Sequence, residues 1–174
     1  MDMKKDVPLG RKSPDIVNVI VEVPLGSHDK IEYDEELHVF KVDRTLYSRL
    51  TYPGNYGFLP QTLAGDGDPL DCIILANWPL YPGVAVAVRP VGMLVTKDEK
   101  GEDEKLLGVP DKDPRFSGIK DIGDVAEHTK SEIAHFFEQY KALEPGKWVK
   151  VTGWQNAADA KQLITEAHAA FRKH

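Results

Sequence analysis

The chain has 174 residues, 41% hydrophobic and 29% charged, a balance that suits one domain over residues 1–174 with a single sizeable core and excludes a disordered chain. Its 28 acidic and 22 basic residues leave a formal charge of −6, which argues against a protein built around a basic nucleic-acid-binding face. The opening MDMKKDVPLGRK has no apolar stretch of signal-peptide length, and no run approaches the ~20 apolar residues that span a bilayer, so a cytoplasmic location and no membrane partner are expected.

The first half reads as strands. Ile16 to Val23 is β-rich, and Pro24-Leu25-Gly26-Ser27 turns the chain into an alternating stretch, Lys30 to Tyr33. Leu37 to Val42 alternates again, with Leu37, Val39 and Lys41 on one face and His38, Phe40 and Val42 on the other. Apolar strands are predicted at Leu70 to Ala76 and Val84 to Thr96, the second bent at Pro90 and Gly92. Leu106 to Val109 pairs back across a hairpin with a charged tip. Cys72, the only cysteine, is a small buried hydrophobe on this reading. The second half turns helical. Ile133, Phe136, Phe137, Tyr140 and Leu143 recur at helical spacing, with a capping box expected at Asp124/Glu127 or Thr129/Glu132 and an end at Glu144-Pro145-Gly146. His135 is expected in the core or at an interface. Lys147 to Trp154 is one more strand. Asn156 then caps a last helix that buries Leu163, Ile164, Ala167 and Phe171. Strands first and helices last point to an α+β domain, a compact curved antiparallel sheet or small barrel with helices outside.

The most informative segment is Gly65-Asp66-Gly67-Asp68-Pro69-Leu70-Asp71-Cys72. Three carboxylates crowd a turn beside an apolar strand, and such a cluster repels itself unless a hard cation sits between its members. An acidic turn alone is weak grounds, since most are merely solvated. The EF-hand alternative fails by register: counted from Asp66, position five is Leu70, position six is Asp71 and position twelve is Asn77. A second acidic run, Asp98 to Lys105, and Glu22 inside an apolar strand add carboxylates. Lys30, Arg44, Lys105 and Lys141, with Tyr52, Tyr56 and Tyr140, are residues suited to phosphate, although any one of them taken singly reads better as solvated lysine or packed tyrosine.

Together these segments resemble the soluble family I inorganic pyrophosphatases. Asp66-Gly67-Asp68-Pro69-Leu70-Asp71-Cys72 is similar to that family's signature. In order along the chain, Glu22 to Ser27 with Lys30-Ile31-Glu32, Asp43-Arg44, Tyr52 to Gly57, Asp98 to Lys105, His135 to Lys141 and Lys147 to Val151 resemble its other motifs. The length resembles the short prokaryotic members. One departure is Ile31, where many members carry Tyr, at a position expected to face away from the site.

The resemblance implies a five-stranded, OB-like antiparallel barrel with flanking C-terminal helices. It implies that Asp66, Asp71, Asp98 and Asp103 ligate Mg2+ and that Asp68 is the general base for an attacking water. Lys30, Arg44, Tyr56, Tyr140 and Lys141 would hold the phosphates of pyrophosphate, with Glu22, Glu32, Tyr52, Glu99 and Lys105 in support. A homo-oligomer, a hexamer as in other short members, is implied too. Metal between carboxylates and substrate explains how an acidic chain could bind a polyanion. Two rivals differ in class. A single-strand nucleic-acid module on a similar barrel calls for aromatic platforms among basic residues, but the charged positions here are mainly acidic. A metal-binding structural protein leaves the basic and tyrosine set without a use. A larger diphosphate substrate, such as a nucleotide, is a third alternative.

Overall fold

Eight strands and two α-helices follow one another as β1 (Val17–Val23), β2 (Asp29–Asp34), β3 (Val39–Thr45), β4 (Asn55–Phe58), β5 (Asp71–Ile74), β6 (Ala85–Asp98), β7 (Gly101–Pro110), α1 (Glu127–Gln139), β8 (Val149–Asn156) and α2 (Ala157–Phe171). The computed structural model describes residues 1–174. Six strands form one sheet in the order β1-β4-β5-β7-β6-β8, and β1 also pairs with β6. The ladders therefore lead from β1 through β4, β5, β7 and β6 back to β1, with β8 added along the free side of β6. The hairpin of β2 and β3 is a separate two-stranded sheet.

An all-antiparallel sheet was expected, and one pair departs from it. β5 and β7 run parallel, Asp71 beside Lys105 and Ile73 beside Leu107. Parallel neighbours need a long crossover, and the whole of β6 supplies it. The bend expected in β6 is a register shift between Pro90 and Gly92. Strand β4 is only four residues long and contains Gly57, so it carries little periodic signal. That glycine is required by close approach, since a Cβ there would lie 1.9 Å from the Ile20 carbonyl oxygen.

Two apolar clusters hold the helices to the sheet. Ala160, Ile164 and Ala167 of α2 pack with Val19, Cys72 and Leu106. Ile133, Phe136 and Phe137 of α1 pack with Tyr52, Tyr56, Ile73 and Leu107. Each large side chain so buried contributes roughly 1.5–3 kcal/mol. Cys72 is buried as expected, and burial pushes its thiol pKa up.

Several local expectations are corrected. The N-cap of α1 is Ala126, with no side-chain cap. The Asp124 carboxylate instead accepts from the N–H groups of Lys120 and Asp121, closing a capping box on the short turn before the helix. Tyr140 is already the C-cap of α1, so Leu143 lies beyond the helix and is exposed. His135 is exposed on the single chain, which removes it from the core and leaves an interface as its other expected place. In α2, Asn156 accepts from the Asp159 N–H at 2.9 Å, as its position implied, but Leu163 and Phe171 are only half-buried. Leu37 and His38 precede β3, whose Val39 and Val42 are exposed.

Candidate active site

Every carboxylate, cation and tyrosine given a role above lines one cleft of about 320 Å³. Its floor comes from the five-strand circuit. Tyr56 on β4 donates to Asp71 on β5 at 2.6 Å, and Lys105 on β7 donates to the same Asp71 oxygen at 2.8 Å and to the Tyr56 hydroxyl at 2.9 Å. Lys105 also meets Asp103 at 2.9 Å. The parallel register of β5 and β7 makes this contact possible, because it sets Asp71 level with Lys105. Burial works against charge on Lys105, but Asp71 and Asp103 outweigh it and raise its pKa well above the ordinary lysine range. Burial pushes the Tyr56 hydroxyl up and keeps it a donor.

Strand β1 contributes Glu22, which is buried and accepts from the Tyr33 N–H at 2.8 Å. Burial, with Asp71 and Glu32 nearby, pushes its carboxyl up to about 8. Tyr52 is fully buried against Phe136, ring centroids 4.7 Å apart, and Tyr140 stacks on the same ring at 5.3 Å.

The rim is more open. Gly67 has a left-handed backbone (φ 90°), and the Asp68 N–H donates to Asp66 at 3.0 Å, so both carboxylates are displayed on one tight turn. The Asp68 side chain is 73% exposed and lies 4.0 Å from Lys4 Nζ. Partial burial and the neighbouring Asp66 raise its pKa. Burial raises that of Asp103 too, and Asp71 adds to the effect. On the opposite side, the β6–β7 tip presents Asp98 and Glu99, which Lys141 joins at 3.1 and 3.2 Å. Burial opposes ionisation of Asp98, but the Lys100 N–H and Lys141 hold its pKa below the ordinary range.

The third wall is the β2–β3 hairpin, where Lys30 and Arg44 are cross-strand partners and Lys30 is ion-paired with Glu32. A register shift between Lys30 and Ile31 breaks strict alternation. Lys30, Ile31 and Glu32 therefore all line the cleft, and Ile31 does not face away. Lys4, Lys100 and Lys147 also line it and were not singled out from sequence. Lys147 stood within a recognised motif, whereas nothing in the sequence points to Lys4.

The donor chemistry suits a hard cation. Asp66, Asp71, Asp98 and Asp103 offer only oxygen, and burial, with neighbouring carboxylates adding to it, raises Asp68 and Asp103 in pKa, a penalty that a cation between them would relieve. The carboxylates face the same space without closing into a tight cluster, because Lys105 and Lys141 stand among them.

The model of the inorganic pyrophosphatase family matches residues 19–172. The chain belongs to that family. It is 57% identical over 157 residues to an inorganic pyrophosphatase of Sulfolobus acidocaldarius, covering 89% of this chain and 91% of the relative. It is 52% identical over 172 residues to that of Thermus thermophilus, covering 98% and 97%. The crystal structure of inorganic pyrophosphatase from Thermus thermophilus superposes with a TM-score of 0.97 over 99% of both chains, at 50% identity. The family match thus covers every residue lining the cleft except Lys4, which lies before residue 19.

Proposed function

We propose that this chain hydrolyses inorganic pyrophosphate to two orthophosphates with water as the direct nucleophile, and that residues 1–174 act as one domain whose five-strand circuit is an OB-like barrel. The observation that carries this reading is one cleft holding a carboxylate set on its floor and rim and a cation and tyrosine set on its walls. A polyanion needs both: cations to bind its oxygens, and oxygen donors to hold the counter-ions that offset its charge.

Mg2+ held by Asp66, Asp71, Asp98 and Asp103 would supply positive charge to the substrate and make a nearby water more acidic. Asp68, on the open turn, takes the proton from the attacking water, so it must be ionised when substrate is bound. Arg44 suits a two-oxygen phosphate contact, whereas Lys30 and Lys141 act as point charges. The Tyr56 and Tyr140 hydroxyls donate to phosphate oxygens as negative charge grows on the leaving group. Lys105 keeps Asp71 and Asp103 spaced and oriented from below, and Glu22, Glu32, Tyr52 and Glu99 support the walls. No side chain here needs to become phosphorylated.

The acidic rim disfavours a polynucleotide as partner. No helix is long and apolar enough to cross a membrane, which accords with a cytoplasmic place of action. A homohexamer is the proposed assembly, and light scattering that gave the mass of a single 19.4 kDa chain would contradict it. The reaction is tested by following pyrophosphate by ³¹P NMR in ¹⁸O-labelled water with Mg2+ present. Conversion to orthophosphate, with label entering at one oxygen per cleavage, is expected. An unchanged pyrophosphate signal from folded protein would refute the reading.

A further inference from the structure

Behind the cleft wall, Glu144 is a buried carboxylate for which the proposed chemistry has no use. It is 5% exposed and does not line the cleft, yet both of its charged partners do. Its Oε1 lies 2.9 Å from Arg44 Nε and 3.1 Å from Lys147 Nζ. Arg44 sits on the β2–β3 hairpin, which shares no ladder with the main sheet. Glu144 sits in the turn after α1, its N–H donating to the Lys141 carbonyl at 3.1 Å. The contact therefore ties the hairpin wall to the wall that carries Tyr140 and Lys141.

We propose that Glu144 is a positioning residue that holds the Arg44 guanidinium toward the substrate and so sets the spacing of the two phosphate-binding walls. This rests on the reading of the cleft as a pyrophosphatase site. Three observations converge on it. An ionised glutamate is costly to bury without partners, and here its partners are two cleft cations. Arg44 has its other carboxylate contact, Asp43 at 2.6 Å, on its own strand, so only Glu144 restrains it from across the cleft wall. The pair is also not fully satisfied: Arg44 Nε and Glu144 Oε2 lack hydrogen bonds, although the charges are in contact. Such a pair holds direction through charge, and with Nη1 donating to Asp43 it leaves Nη2 uncommitted for an incoming anion.

The test is a double-mutant cycle on kcat and KM for pyrophosphate at saturating Mg2+, with thermal unfolding of each variant. Glu144→Gln is expected to raise KM about tenfold with kcat within about twofold, the pattern of lost ground-state positioning. Glu144→Asp keeps the buried charge but withdraws it by one methylene, and the same rise in KM is expected at near-native Tm. In an Arg44→Ala background, Glu144→Gln should add nothing further to KM. An equal KM rise in both backgrounds would show that Glu144 does not act through Arg44, and a lowered Tm with unchanged KM would reduce it to a structural role. If the wild-type protein itself released no phosphate, the pyrophosphatase reading would fall, and the role of Glu144 with it.

Discussion

On the floor of the cleft, Lys105, Tyr56, Asp71 and Asp103 are joined by contacts of 2.6–2.9 Å, with the lysine side chain 8% exposed. On the rim, the Asp68 side chain is 73% exposed, and its only cation within 4.0 Å is Lys4. The floor is held by three strands whose ladders fix every Cα, whereas the rim is one tight turn displaying carboxylates to solvent. Groups of the first kind stabilise the fold as well as the site. Groups of the second kind can be altered with little structural cost, and their loss falls on chemistry.

Substitutions at the two places should therefore separate activity from stability. Asp68→Asn is expected to lower kcat by about 10²–10⁴-fold, the range for a lost general base, with Tm unchanged. A calorimetric scan beside a turnover assay reads both, and near-native activity would remove Asp68 from its role. Lys105→Ala should do the converse as well as harm turnover. It leaves Asp71 and Asp103 facing each other without their cation, at a cost of about 3–5 kcal/mol. Chemical denaturation would show this, and a loss below about 1 kcal/mol would mean that the floor is no better held than the rim.

Asp103→Ala should shift the Mg2+ titration of activity to higher concentration by several-fold, and a superimposable titration would argue against Asp103 as a ligand. At Glu22 the expected effect lies in the pH dependence of stability and not in turnover. Its carboxyl is raised in the folded protein from the ordinary 4.5 to about 8, so the native state holds this proton more tightly than the unfolded chain does. The stabilisation is complete below pH 4.5 and is lost as pH rises to about 8, by up to about 1.4 kcal/mol per pH unit. Glu22→Gln should flatten that part of the stability–pH curve, and parallel curves for the two proteins would show that Glu22 does not titrate there.

Much of the site was legible because its chemistry is concentrated in short segments. The acidic turn, the Asp98 to Lys105 hairpin and the Tyr140-Lys141 pair are each ambiguous alone, and their order along the chain makes them readable as one site, with local turn chemistry placing them. The Asn156 cap was legible for the same reason: a cap is a contact between residues three apart. What escaped was set by pairing between distant segments. The parallel run of β5 on β7 depends on where β6 crosses, and β4 is too short to show a period. The shift at Lys30/Ile31, which turns Ile31 into the cleft, is a property of the hairpin ladder and not of either strand alone. Glu144 was read only as part of a helix stop, because its partner Arg44 lies far away in sequence. Capping of α1 failed in another way: two boxes fitted the pattern, but Asp124 was already used by backbone donors before the helix began.

The most direct measurement is phosphate release from pyrophosphate by the folded protein, with and without Mg2+. Rapid release of two phosphates per pyrophosphate, dependent on Mg2+, is expected. No release from folded protein in saturating Mg2+ would contradict the assignment of this cleft as a pyrophosphatase site.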